Sequence, residues 1–169
     1  IILDHHLYTG LAGTAGEAGH MIVQPGGRSC PCGNHGCLEQ YISEPAVLSR
    51  YRELSGRTTV SIDDLVWAYN QKETAALAVT DEFTTYLACG INNLWNLFSP
   101  ECIILNCQLT AYLPQLLPEI LQKLSPRFRA TCHLKLSTLQ DTGVLLGAAK
   151  VCISKYLGTE KLYFSGLQP

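Results

Sequence analysis

One histidine and three cysteines, His20, Cys30, Cys32 and Cys37, follow one another in the pattern His-x9-Cys-x-Cys-x4-Cys, a stretch short enough to close around a single ion. Gathering four donors from so short a segment forces the backbone to turn back on itself. Gly26, Gly27, Pro31, Gly33 and Gly36 supply those turns, because glycine tolerates positive φ and proline fixes its own. Thiolates and imidazole suit Zn²⁺, and a Cys₃His set fills all four positions of a structural site, leaving no place for a catalytic water. The spacing therefore predicts a structural zinc ion that braces a loop, whose removal should unfold that loop before it stops any chemistry.

Eight cysteines could instead form four disulfides. Their distribution argues against that. Cys89, Cys102, Cys107, Cys132 and Cys152 lie singly in apolar, periodic stretches, where cysteine serves as a small buried hydrophobe. The chain is read as lacking a signal peptide, and 169 residues can build a core without covalent staples. A reducing, cytoplasmic setting is expected. Hydrophobic residues make up 47% and charged residues 15%, with a net charge of −2. No basic run longer than a neighbouring pair appears, so these residues carry no electrostatic footprint of a nucleic-acid surface. No apolar run approaches the roughly 20 residues that span a bilayer, and no membrane contact is expected.

The first residues read as the middle of something. Ile1, Ile2 and Leu3 have the character of a buried strand, Asp4 to His6 of a tight turn, and Leu7 with Tyr8 of the returning strand. With Met21 the only methionine, a fragment lacking its amino-terminal part is expected. Beyond the cysteines, a short turn of helix at Cys37 to Tyr41 precedes a helix from Ser43 to Ser55, with Glu44 and Pro45 in its first turn and Gly56 at its end. Ser61 and Asp64 form a capping box for a helix to Tyr69. The longest helix runs from Thr74 to Phe98, with Phe83, Leu87, Ile91, Leu94 and Phe98 on one stripe. Ser99 and Pro100 stop it, and Cys102 to Leu105 form an apolar run expected to be a central strand covered on both faces. A helix from Leu109 to Leu124 kinked at Pro118, a strand over His133 to Leu139, and a helix from Gly143 to Leu157 complete an α/β order with parallel strands. In that last helix Gly147, Ala148 and Ala149 leave room for a close neighbour. The tail from Gly158 has no assigned element.

The segment Gly16-Glu17-Ala18-Gly19-His20, followed by Cys30-Pro31-Cys32-Gly33-Asn34-His35-Gly36-Cys37-Leu38-Glu39, resembles the signature of the ROK family of bacterial repressors and sugar kinases. Asn96 to Glu101 before a strand, and Gly147 to Ala149 in the final helix, extend the resemblance over most of the chain. It implies an α/β fold, the carboxy-terminal lobe of the actin-like, ribonuclease-H-like sugar kinase architecture with a zinc-braced loop. On this view residues 1–169 are a single carboxy-terminal domain, its zinc loop spanning 20–37. His20, Cys30, Cys32 and Cys37 match the family's zinc ligands. Glu17 and Glu39 match its sugar-binding acids, and His20 would touch the sugar as well as the metal. The chemistry agrees, since a carboxylate accepts from two vicinal hydroxyls at once and charge-assisted bonds are the stronger sort. The alternative is that both glutamates are solvated, or that Glu39 serves the helix start; His5, His6 and His35 are read as surface residues.

A kinase of this family also needs a phosphate loop and a catalytic aspartate, both of which normally precede the region where this chain begins, so this chain carries no catalytic residue of its own. One kinase feature, a glycine pair after the strand ending near Leu105, should be visible, and here Asn106-Cys107-Gln108 stand in its place. Side chains there impede a nucleotide's approach to the backbone. The resemblance therefore leans to the sugar-sensing and oligomerisation domain of a regulator, a dimer or tetramer with a monosaccharide, phosphorylated or N-acetylated sugar as effector and DNA bound only through a missing amino-terminal segment. The competing expectation is half of a hexose or N-acetylhexosamine kinase, and a third is a scaffold that binds a partner protein through its zinc lobe.

Overall fold

The computed structural model describes residues 1–139 and 142–158, which divide into two compact units: Ile1–Glu17 with the chain from Leu139 onward, and Ala18–Thr138. In the first unit β1 (Ile2–Leu3) and β2 (His6–Leu7) pair antiparallel, Ile2 opposite Leu7. Asp4 and His5 both adopt positive φ, the two-residue turn whose twist suits a hairpin. The expected hairpin is present, but Ile1, Ile2 and Leu3 are exposed, because a two-stranded ribbon buries its side chains only under another layer.

The second unit begins with the cysteine-bearing loop and continues through α1 (Glu39–Ile42), α2 (Glu44–Ser55), α3 (Ile62–Asn70) and α4 (Thr74–Phe98). Ser43 occupies the N-cap of α2 with extended backbone, yet its hydroxyl makes no capping bond; Pro45 in the first turn fits the start instead. Ser61 behaves as expected: its Oγ accepts from the Asp64 amide at 3.2 Å while Asp64 Oδ2 accepts from the Ser61 amide at 2.8 Å. On α4, Phe83, Leu87 and Ile91 are buried as their spacing requires, but the stripe continues through Trp95 rather than through Leu94 and Phe98. The indole meets the Phe128 ring edge-on, with centroids 5.9 Å apart, and Phe98 is left 40% exposed.

β3 (Cys102–Leu105) then leads into α5 (Gln108–Tyr112), α6 (Leu116–Lys123), α7 (Pro126–Thr131) and β4 (His133–Leu136). β3 and β4 pair parallel, Cys102 opposite His133 and Leu105 opposite Leu136, as the strand-helix-strand order demands. Ile104 is 53% exposed, so among the described residues β3 is not covered on both faces as its apolar run predicts. The expected kink at Pro118 is also corrected. Helical structure breaks earlier, at Leu113, because Pro114 disfavours helical backbone in the residue before it. Pro118 lies in the first turn of α6, where the amide it lacks would have no partner anyway. The strand ends at Leu136 instead of Leu139. α7 interrupts the connection to β4, and its start signals are Ser125, whose Oγ accepts from the Phe128 amide at 3.2 Å, and Pro126.

One apolar core unites α2 through α7, with Tyr51, Leu65, Phe83, Leu116, Ile120 and Phe128 fully enclosed. In the first unit α8 (Thr142–Tyr156) matches the last expected helix, but nothing among the described residues stands within 4 Å of a Cβ placed on Gly147, and Cys152 is exposed rather than core. Asp141 and the tail from residue 159 lie outside the described residues. No helix among the described residues is long and apolar enough to cross a membrane.

What matters for the site is how the loop meets α4. Leu38, buried at the loop's end, lies against Gly90 in mid-helix, where a Cβ would stand 2.5 Å from Leu38 Cδ2. Glycine costs a helix up to about 1 kcal/mol relative to alanine, so its place here is explained by packing. Gly90→Ala is expected to destabilise the protein by about 1–3 kcal/mol in urea unfolding despite the gain in helix propensity. Adding Leu38→Ala should then cost less than it does in the parent. An unchanged or raised midpoint for the single variant would show that the contact is not a constraint.

Candidate metal centre

The loop from Ala18 to Leu38 carries little regular structure and is instead cross-tied by backbone bonds. Leu38 donates to Met21 O at 2.8 Å, Val23 to Gly36 O at 2.9 Å, Gly36 to Arg28 O at 2.7 Å and Cys30 to Asn34 O at 2.9 Å. Isolated bridges join Ile22 to Cys37 and Ser29 to His35. One crossing is so close that only glycine fits: at Gly36, with φ 81°, a Cβ would stand 1.7 Å from Gln24 O.

These ties converge the four expected donors. The ligand atoms of His20, Cys30, Cys32 and Cys37 all lie within 4.8 Å of one another, with His20 Nδ1 3.6 Å from Cys30 Sγ and Cys32 Sγ 3.6 Å from Cys37 Sγ. Tetrahedral coordination at Zn–S of about 2.3 Å and Zn–N of about 2.0 Å separates donors by roughly 3.5–3.8 Å. The set fits a zinc ion in number, chemistry and spacing. None of the eight cysteines forms a disulfide.

Without the metal's charge the three thiols differ. Burial pushes Cys30 up to about 12, while a backbone hydrogen bond at Asn34 and the Cys30 thiol bring the exposed Cys32 down to about 7. Burial also raises Cys37. A zinc ion would favour all three as thiolates.

Glu39, the first residue of α1, stands at the rim of this cluster. Its Oε1 accepts from Cys30 Sγ at 3.0 Å and from Gln40 Nε2 at 3.1 Å and lies 3.7 Å from His20 Nδ1; the Cys30 bond, then that of Gln40, holds the carboxyl below its usual range. About a third of each side chain, 36% for His20 and 34% for Glu39, remains open, so a donor arriving from solvent can reach this carboxylate. Glu17 is exposed and belongs to the other compact unit. His5, His6 and His35 are exposed, as read. The spacing argument missed the residues that fix the loop to the helices: Arg28, Gln40, Tyr41, Glu82 and Tyr86. Tyr41 and Tyr86 stack at 4.0 Å, Arg28 lies 4.5 Å above the Tyr41 ring, and its guanidinium pairs with Glu82 on α4. No local signal could have joined Arg28 to a carboxylate 54 residues away.

The profile of the ROK family matches residues 1–155. The xylose repressor of Bacillus spizizenii is 31% identical over 166 residues, covering 96% of this chain and 43% of the repressor. Among solved structures, a ROK family transcriptional regulator, described as a homologue of the Escherichia coli MLC protein, superposes with a TM-score of 0.73 at 28% identity, covering 94% of this chain and 43% of that one. A ROK hexokinase from Thermus thermophilus superposes with a TM-score of 0.70 at 25% identity, covering 88% and 51%. The α/β fold is thus that of the actin-like ROK kinases and regulators, and the chain spans about half the length of these relatives or less.

Iodoacetamide should alkylate Cys32 of the metal-free protein first, with a rate that rises through a midpoint near pH 7, and stoichiometric zinc should suppress the reaction. The same asymmetry sets the metal-free protein's stability against pH. Cys32, held below the ordinary thiol value of 9.0, adds stability as pH rises from about 7 to 9, whereas Cys30, held at about 12, removes it from 9 upward. Peptide mapping that finds equal alkylation of all three thiols at pH 7 would contradict this order.

Proposed function

The chain belongs to the ROK family, and on that premise we propose that it is the sugar-sensing and oligomerisation domain of a ROK-type transcriptional regulator, with a structural zinc on His20, Cys30, Cys32 and Cys37. The observation that carries the reading is the partly open carboxylate of Glu39 beside His20, on a helix that starts two residues after a cysteine of the cluster. A bound zinc would supply rigidity: it would hold the loop on which His20 and Glu39 stand, so the sugar meets acceptors already in place. Glu39 and His20 would then bind vicinal hydroxyls, with Glu17 as a further acceptor.

The regulator is favoured over the kinase by two facts. The xylose repressor is 31% identical to this chain, against 26% for the N-acetyl-D-glucosamine kinase of Histophilus somni over a similar span, and Asn106, Cys107 and Gln108 follow β3 where a nucleotide-binding backbone would need glycines. The effector is a monosaccharide, free, phosphorylated or N-acetylated, and D-xylose is the first sugar to try. The protein works in the cytoplasm as a dimer or tetramer, residues 1–169 act as one domain, and DNA is bound through a segment outside them. Sugar would act by population shift, favouring one arrangement of the full-length subunit and thereby changing how the oligomer presents its DNA-reading parts.

In the full-length protein, Glu17→Ala is expected to abolish release from operator DNA by the sugar while leaving DNA affinity unchanged; equal induction in variant and parent refutes the assignment. Cys32→Ser should lose zinc and sugar response together, because one loop serves both. Zinc loss with unchanged sugar affinity, measured by calorimetry with D-xylose, D-glucose and N-acetyl-D-glucosamine, would separate the brace from the binding site.

A further inference from the structure

The helix that carries Glu39 cannot hold itself. α1 has four residues, no side-chain cap at its N-terminus and a break at Ser43, and a single turn of helix is unstable in water. Its position must come from outside. Arg28 provides it: Nη1 donates to the Gln40 carbonyl at 2.8 Å, the backbone amide donates to Tyr41 Oη at 3.1 Å, and the guanidinium covers the Tyr41 ring. Gln40 in turn donates from Nε2 to Glu39 Oε1 at 3.1 Å. The Arg28 carbonyl accepts from Gly36, so the same residue also ties the segment entering Cys30 to the segment leading to Cys37.

Arg28 is itself aimed by Glu82. That carboxylate stands on α4, the longest helix and the rigid spine of the core, and receives Arg28 on one oxygen and Arg50 Nε on the other at 3.1 Å. Arg50 continues to Glu53 at 2.8 Å. Besides the apolar contacts of Leu38 with Gly90 and of Tyr41 with Tyr86, the long helix thus has a polar link to the loop, one carboxylate shared by two guanidinium groups.

Resting on the metal and carboxylate assignment above, we infer that Glu82 is a positioning residue of the site, acting through Arg28 to fix both the cysteine loop and the helix that bears Glu39. Glutamine at Glu82 keeps the shape but offers one acceptor and one donor, so it can satisfy only one of the two arginines. Lysine at Arg28 keeps the charge but loses the fork that spans Gln40 and Glu82 at once.

The test uses Co²⁺ as a spectroscopic stand-in for zinc in the full-length protein, with Glu82→Gln, Arg28→Lys and the double variant. Each single variant is expected to weaken Co²⁺ binding by about 10-fold or more, the range in which groups supporting metal ligands act, with the tetrahedral thiolate spectrum retained. The double variant should be no weaker than the worse single, because both break one linkage. Unchanged Co²⁺ affinity in both singles, or losses that multiply in the double, would overturn the inference. Should Glu82→Gln not fold, Glu82→Asp, which keeps both carboxylate oxygens but draws them back by one methylene, takes its place and must lose Co²⁺ affinity with its thermal midpoint kept. Calorimetry with D-xylose, D-glucose, N-acetyl-D-glucosamine and their phosphates on the same proteins separates the two readings: a parent that binds Co²⁺ but none of these sugars refutes the sensing function and leaves the clamp to be judged by the metal.

Discussion

Everything at the site depends on a loop that has too little regular structure to hold its own shape. From Ala18 to Leu38 there is a single short turn of 3-10 helix and two isolated bridges, and four potential ligands sit at its crossings. Backbone ordering costs about 1–2 kcal/mol per residue, and so open a segment recovers little of that by apolar burial. Metal coordination is one way to offset the cost. The other is visible in the packing: Leu38 against Gly90, Tyr41 against Tyr86 and Arg28 against Glu82, all reaching the same helix.

That helix can serve as an anchor because its own burial is extensive. Ten of its residues are enclosed, from Ala76 to Trp95, and it joins α2, α3 and α6 into one core. Elements fixed by such packing move less than loops and can position side chains more closely. The site is therefore a segment with little regular structure held in place by attachment to a well-buried helix. Its chemistry follows from that arrangement. Three thiols and an imidazole are spaced so that they could hold a metal ion, while one partly open carboxylate beside them keeps an acceptor facing solvent.

Where sequence reasoning failed, the failures have local causes. Pro114 outweighed Pro118 in breaking the helix after β3, since a proline disturbs the residue before it whereas a proline in a first turn disturbs nothing. Phe98 and Leu94 lost their place in the stripe to Trp95, which found Phe128, a partner no helical period could name. Ile104 and the hairpin residues Ile1 to Leu3 are apolar yet exposed, because composition states what a side chain prefers and not which layer lies over it.

By itself the sequence determined the grouping of His20, Cys30, Cys32 and Cys37, the principal helices, the parallel strand order and the family, because these rest on short-range chemistry: caps, turns, periodicity and the spacing of side chains along one loop. Only the tertiary structure decided what holds the loop. The pairing of Arg28 with Glu82, the stacking of Tyr41 on Tyr86 and the need for glycine beneath Leu38 join residues far apart in the chain, and such contacts exist only once the core has brought α1 and α4 together.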